Sequence, residues 1–447
     1  MKRVLLISLF SLVFALALTG CGGSTSNPPL QTTGTSATIA FGDAPLDAVV
    51  KFEMNVSVIT LTGVSPTTTT GNLLAKPVEF EFSHAAGTLE PVSLANIPAG
   101  SYSGATMTIT GAEMTVVNGT TPTKIPVTLS SNTATITFAA NITVGTTPLF
   151  VNFDLDLANS VVLNGTPITS ATVTPKFTVT STSTPAAGNE GNEGDDNGGI
   201  EDVHGTVSAI TAPNFTITTT SGASIVFVTD ANTKFKDGIT QLSDLKVNDI
   251  VEVDGVTKAD GSKLATKVER EGGQNGEELE GLISALDSPL TKITIAHQFD
   301  STGSSSTAPV TVDVTVNAST VYSVRADKLS ATGTFDATHI GKGQRIEADA
   351  ASSTAPITAT KVKLREQAVF GTVAATPAPT ATSFTINVSA TSAFGKLSGA
   401  TTVAVTVANG GNLSVAPTAG ATIRARGLVF FNAGAYTMTA TKGDNKD

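Results

Sequence analysis

Strict period-two alternation of apolar and polar residues constrains this chain more than any other feature. From Leu149 to Leu157 every odd position is apolar, while Asn152, Asp154 and Asp156 stand between them. Successive side chains of an extended strand point to opposite faces, so such a stretch buries one face and leaves the other wet. Val50 to Val58 reads the same way, with apolar even positions against Lys51, Glu53, Asn55 and Ser57, and so do Val78, Phe80 and Phe82 against Glu79 and Glu81. Shorter segments surround Ile39, Met107, Ile136, Ile142 and Phe177, and Pro98-Ala99-Gly100, Asn118-Gly119 and Asn164-Gly165 supply turns between them. About seven or more short strands with one apolar face and no helical period predict an antiparallel β-sandwich over 36–182. Its expected core contains Phe52, Met54, Val56, Phe80, Val151, Phe153 and Leu155.

Downstream the chain repeats itself. His204-Gly205-Thr206-Val207-Ser208-Ala209-Ile210 recurs as Glu280-Gly281-Leu282-Ile283-Ser284-Ala285-Leu286 and as Phe370-Gly371-Thr372-Val373-Ala374-Ala375-Thr376. A later element, Leu245 to Val253, recurs as Ile340 to Ala348 and more weakly as Pro417 to Ala425, and each unit closes on one more strand: Leu264 to Glu269, Ile357 to Arg365 and Tyr436 to Thr441. An opening strand, a hairpin, a Gly- or Asn-bearing turn and a closing strand suit small barrels of the oligonucleotide/oligosaccharide-binding type. The boundaries expected are 201–271, 278–366 with a Ser/Thr insertion near 301–308, and a diverged copy at 367–443. The fold class is therefore all-β, a sandwich followed by two or three small β-barrels. Between sandwich and barrels, 183–200 reads as a solvated linker, because Ala186 to Gly199 carries Glu190, Glu193, Asp195 and Asp196 but no base and no large apolar residue.

Two resemblances follow from these residues. Phe41-Gly42-Asp43-Ala44-Pro45, the strand from Val49 to Leu61, the stretch Leu94 to Tyr102 with its Pro98-Ala99-Gly100-Ser101-Tyr102 turn, and Met107-Thr108-Ile109 resemble the envelope family called domain of unknown function 4382. That resemblance spans roughly 36–180 and implies a fold and a location but no activity. The repeats resemble the family called domain of unknown function 5666, well over 201–271, with an insertion over 278–366, and poorly at the third element of 367–443.

Location is written at the other end. Lys2 and Arg3 precede an apolar run from Val4 to Leu18, shorter than the roughly 20 residues that span a bilayer. Leu18-Thr19-Gly20-Cys21 then reads as a lipobox, so 1–20 is expected to be a lipoprotein signal peptide, Cys21 the acylated residue and 21–35 a flexible tether. Gly22, where an inner-membrane retention signal usually shows Asp, points to the outer membrane. Cys21 is the only cysteine, so acylation would leave no thiol for a disulfide. Loss of the signal's two bases would take the formal charge from −11 to −13, which opposes binding to nucleic acid.

The chemistry-bearing residues offer no reaction. His84, His204, His297 and His339 are far apart and form neither HxH nor HExxH, so no metal ligand is assigned and each reads as a strand or turn residue. Asp154 and Asp156, like Glu79 and Glu81, share a strand face and read as solvated outer residues rather than paired acid/base carboxylates. The acidic linker lacks the D-x-D-x-D-G spacing of a calcium loop. No GxSxG, SxxK or P-loop occurs. The expectation is a non-catalytic structural or interaction module with no cofactor, anchored to a cell-envelope membrane, its partners an envelope protein or polysaccharide. A glycan- or polymer-binding lipoprotein is the alternative, and an envelope hydrolase using Asp154, Asp156 or acids of the barrels a third. Protein–sugar stacking commonly uses Trp or Tyr, and this chain has no Trp and three Tyr.

Overall fold

The computed structural model describes residues 27–44, 46–83, 89–182, 199–219, 222–258, 260–271, 277–300, 309–324, 333–352, 355–413 and 416–445. Cys21, His84, the 301–308 insertion and 183–198 of the linker lie outside that set. The regular secondary structure of the described chain is almost all strand, with only short helices at Leu157–Ser160, Leu242–Asp244 and Ala393–Ser398.

The alternating N-terminal segments form β1 (Thr35–Ala44), β2 (Val49–Gly63), β3 (Val78–Glu81), β4 (Glu90–Ile97), β5 (Gly100–Asn118), β6 (Thr121–Ile125), β7 (Val127–Leu129), β8 (Thr133–Val144), β9 (Leu149–Asp156), β10 (Val161–Asn164), β11 (Ser170–Val173) and β12 (Phe177–Thr182). One sheet runs β12-β9-β1-β4, and the sheet facing it runs β3-β2-β5-β6 with β8 added on β5. β10, β11 and β7 make a smaller third sheet. Most pairs are antiparallel, but β1 and β9 run parallel, as do β7 and β11. Every residue expected in the core is there: Phe52, Met54, Val56, Val151, Phe153 and Leu155 are fully buried and Phe80 nearly so. Phe41 is the hub of an aromatic cluster, with ring centroids 5.3 Å from Phe80, 5.6 Å from Phe82 and 6.2 Å from Phe153. The Pro98–Tyr102 turn has a physical reason. Tyr102 is buried and its hydroxyl donates back to Pro98 O at 2.8 Å, and a side chain at Gly100 would collide with Thr67.

The three repeats share one topology. The first comprises β13 (Gly199–Thr211), β14 (Asn214–Thr219), β15 (Ser224–Val228), β16 (Lys234–Lys236), β17 (Ile250–Thr257) and β18 (Lys263–Glu271). The second comprises β19 (Glu277–Leu286), β20 (Lys292–Asp300), β21 (Thr311–Thr315), β22 (Val321–Val324), β23 (Arg345–Ala350) and β24 (Ile357–Leu364). Their orders, β15-β14-β13-β17-β18-β16 and β21-β20-β19-β23-β24-β22, coincide, and a parallel pair, β15–β18 or β21–β24, closes each. The third, β25 (Glu366–Val373), β26 (Ser383–Val388), β27 (Thr402–Leu413), β28 (Thr422–Asn432) and β29 (Ala435–Asn445), is a closed five-stranded barrel with the corresponding parallel closure, β27–β29. The glycine that opens each repeat, Gly205, Gly281 or Gly371, lies against a carbonyl of the next strand (Thr218, Ala296, Asn387), and a Cβ at any of the three would strike it. β13 begins at Gly199 and Ile200 is buried in the first barrel, so strand starts two residues inside the segment read as linker.

The units interlock. Phe150 of the sandwich packs into the first barrel's core, and Leu428 and Phe430 of the third into the second's. A separate cluster joins Val50 and Val117 of the sandwich, Leu282 and Ala296 of the second barrel, and Ala393 and Leu397 of a short helix, Ala393–Ser398, in the third. This corrects the expectation of a wet outer face on β2: Lys51 and Glu53 are buried as well as Phe52 and Met54, because the second barrel covers that face and Gln298 donates to Val50 O at 2.6 Å. Glu81 is likewise buried, accepting from the backbone N–H of Phe52 at 2.8 Å and of Ser83 at 3.0 Å, and burial raises the Glu79 carboxyl above its ordinary range. Asp154 is exposed as expected, and Asp156 caps the short helix Leu157–Ser160 by accepting from Asn159 N.

Removing a buried Phe side chain costs about 3–5 kcal/mol. Phe153→Ala should therefore lower the melting temperature of the sandwich transition by many degrees in calorimetry while Asp154→Ala leaves it nearly unchanged. Comparable shifts from the two would place β9 in the opposite register.

Candidate functional site: a buried ion network between the first two barrels

In β17 and β18 the residues Val251, Val253 and Val268 point into the first barrel, so Glu252, Asp254, Lys267, Glu269 and Glu271 point out. The second barrel alternates alike, with Ile346, Ala348, Val362 and Leu364 inside and Glu347, Asp349, Lys361, Lys363 and Arg365 outside. On a lone barrel these side chains would be solvated. Here the two outer faces meet, and Glu252, Glu269, Glu271, Glu347, Lys363 and Arg365 are all buried.

Strand pairing fixes the correspondence between repeats. Glu252 lies opposite Glu269 in the first barrel, and Glu347 lies opposite Lys363 in the second, so Lys363 occupies the place of Glu269 and Arg365 that of Glu271. The reversal of charge makes the faces complementary. Lys363 Nζ lies 2.5 Å from Glu269 across the junction and 2.5 Å from Glu347 in its own barrel. Arg365 reaches Glu252 at 3.3 Å and Glu347 at 2.7 Å, and Lys267 holds Glu252 at 2.7 Å. Arg345 pairs with the buried Glu280 at 2.5 Å and donates to Glu366 O at 3.2 Å, extending the network to the third barrel.

His204 sits in the same layer, fully enclosed. Its Nδ1 is 3.1 Å from Glu271 and 3.4 Å from Glu278. Burial opposes a charge on the imidazole, but the two carboxylates outweigh it and raise its pKa well above the ordinary value. Burial, reinforced by Glu271, raises Glu278 well above its own, and burial with the charge of Glu347 does the same to Asp349. Glu269 goes the other way: burial opposes its charge, but the Lys363 ammonium prevails and lowers it.

Two groups have donor atoms within 4.8 Å of one another, His204–Glu252–Glu271 and Glu278–Glu347–Asp349. A metal ion would need those atoms at about 2.0–2.6 Å. The protein's own cations already stand against both groups. Lys267 and Arg365 engage Glu252, while Lys363 and Arg365 engage Glu347, and Lys363 lies 3.5 Å from Asp349. The arrangement is chemically an inter-barrel ion lock.

The fold does not gather the other described histidines around His204. His297 is buried in β20, and His339 lies in a turn where its Nδ1 is 2.8 Å from Asp336; hydrogen bonds from Thr338 and His339 pull that carboxyl down to about 2. The alternation marks the members of the network as outer-face residues and gives no hint that the outer face is buried. The available signal is the change of sign between Glu269-Arg270-Glu271 and Lys363-Leu364-Arg365 at matching places in the repeat.

Residues 204–269, from the opening of the first barrel to its closing strand, match the family described as Domain of unknown function (DUF5666). No curated protein matches the chain. The solved structure drosophila Unr CSD456 is similar over 55% of this chain and 97% of its own length, with 11% sequence identity and a TM-score of 0.14, too low to define a shared fold.

Stripping one partner from a buried ion pair costs about 3–5 kcal/mol. Lys363→Met should therefore lower the denaturant midpoint sharply, and adding Glu269→Gln should restore part of the loss. A midpoint unmoved by Lys363→Met would show the junction to be solvated. A second expectation concerns pH. Burial pushes Glu53 up to about 8 against an ordinary 4.5. A carboxyl raised on folding contributes stability that is present below its unfolded pKa and lost as pH rises through the folded one. His204, Glu278 and Asp349 are raised too, so stability should fall from about pH 5 to about pH 9, and Glu53→Gln should flatten that fall in thermal melts. A stability that climbs over this range would contradict the assignment.

Proposed function

We propose that the chain is a lipid-anchored cell-envelope protein that works as a non-catalytic structural or interaction module. The observation that carries the reading is the Leu18-Thr19-Gly20-Cys21 lipobox behind its short basic and apolar leader. Two or three acyl chains on Cys21 would hold the protein firmly, since each buried methylene contributes roughly 0.8 kcal/mol. Among the described residues no helix is long and apolar enough to cross a membrane. The resemblance of 36–180 to domain of unknown function 4382 supports an envelope location, and Gly22 after the cysteine favours the outer membrane. Beyond the tether, four β units locked by shared apolar clusters and by the ion network would behave as one stiff arm, which suits presentation of a surface better than turnover of a substrate.

The test is genetic and biochemical. Expressed in a bacterial host, the protein should fractionate with membranes and incorporate labelled palmitate, and Cys21→Ser should abolish both. Retention and labelling of the Cys21→Ser protein would refute the anchor.

A further inference from the structure

The face that makes the ion lock in the first two barrels has a different composition in the third. The positions of His204 and Glu280 are taken by Phe370, and in register opposite it stands Arg424, in the place of Glu252 and Glu347. At its Leu428–Phe430 end this face packs into the second barrel, but among the described residues no barrel covers it around Phe370. Instead, part of it forms one wall of a cleft of about 440 Å³, whose other wall is the edge of the sandwich.

The lining has a definite chemical character. Leu46 and Ala158 from the sandwich, with the half-buried Phe370, give an apolar surface, and Thr372, Asn387 and Thr422 add exposed hydroxyl and amide groups. Among the described residues Asp47 supplies the only charged side chain in the lining, oriented by hydroxyl donation from Ser389 and Thr391 to its Oδ2, both at 3.2 Å. A cleft of this volume suits a small organic unit. With a carboxylate as its one charge, it disfavours phosphates and other anions. An aromatic face beside a carboxylate, an amide and hydroxyls matches a ring that has C–H bonds on one side and hydroxyl donors and acceptors around its rim.

We propose that this cleft between the sandwich and the third barrel binds an uncharged saccharide unit, stacked on Phe370 and hydrogen-bonded by Asp47 and Asn387. Phe lacks the polar tip of Tyr and Trp, so the hydroxyl-matching groups come from the neighbouring strand and from the sandwich. The proposal does not depend on the lipid anchor, and its failure would leave that reading untouched.

The full chain, solubilised in detergent, would be applied to an array of neutral and acidic oligosaccharides, and hits would be titrated by calorimetry. Retention of neutral oligosaccharides with weak or no retention of uronates is expected. Phe370→Ala and Asp47→Asn should each weaken binding by about tenfold, the loss of one stacked or hydrogen-bonded contact. Thr422→Trp, a change at an exposed position that fills the cleft, should abolish binding with the melting temperature kept. The proposal is overturned if no neutral glycan is retained, if uronates bind more tightly, or if Thr422→Trp binds as well as the unaltered chain.

Discussion

Lys363 is the residue on which the arrangement of the barrels turns. A buried ammonium is costly unless several acceptors surround it, and here Glu347 and Asp349 from its own barrel and Glu269 from the neighbouring one do so. The pairing is selective rather than merely adhesive. Two copies of the first barrel's face would set Glu269 and Glu271 against acids, so that face accepts only a surface on which these positions have changed sign. Carboxylates still outnumber cations around the lock. Protons offset part of the deficit: the carboxylates of Glu271 and Glu278 raise the His204 imidazole, and burial raises Glu278 and Asp349, so all three hold a proton more readily than in water.

Apolar packing then ties the lock to the rest of the molecule. Leu428 and Phe430 enter the second barrel, Phe150 enters the first, and Val50 and Val117 join the second and third barrels to the sandwich. Gln344, by donating to Val429 O, and Tyr436, by donating to Lys342 O, satisfy backbone carbonyls at the same contact between the second and third barrels. Each unit therefore loses core surface if its neighbour departs, and the four should resist independent motion more than a string of tethered domains would.

Much of the fold is legible in residue order because a strand writes its two faces in alternate letters. Phe52, Met54, Val151, Phe153 and the repeated glycines at 205, 281 and 371 all stand where that pattern puts them. Alternation says nothing about what lies beyond the second face. Lys51, Glu53 and Glu81 read as solvated because charge usually marks water, yet each is buried, and the outward Glu252 and Glu347 of the barrels are buried as well. The parallel pairing of β1 with β9 is hidden for a related reason: it joins segments more than a hundred residues apart, and no local signal encodes it.

The three barrels show how one repeat can serve different ends. Their inward residues are interchangeable in character: Val251, Ile346 and Ile423 are each fully or almost fully buried. Their outward residues are not. The first face is mainly acidic, the second mixes acids with Lys361, Lys363 and Arg365, and the third replaces the buried His204 or Glu280 with Phe370. Since the inward residues set the barrel's strand order, the outer face can change character from copy to copy while the fold is kept. In the first two copies that freedom went into a mutual contact, and a surface committed to a neighbour is closed to any ligand. Leu428 and Phe430 tie one end of the third copy's outer face to the second barrel, but among the described residues no barrel packs around Phe370, so that part remains available, and its aromatic residue would be a liability in water unless something covers it. The edge of the sandwich covers it in part and leaves the cleft.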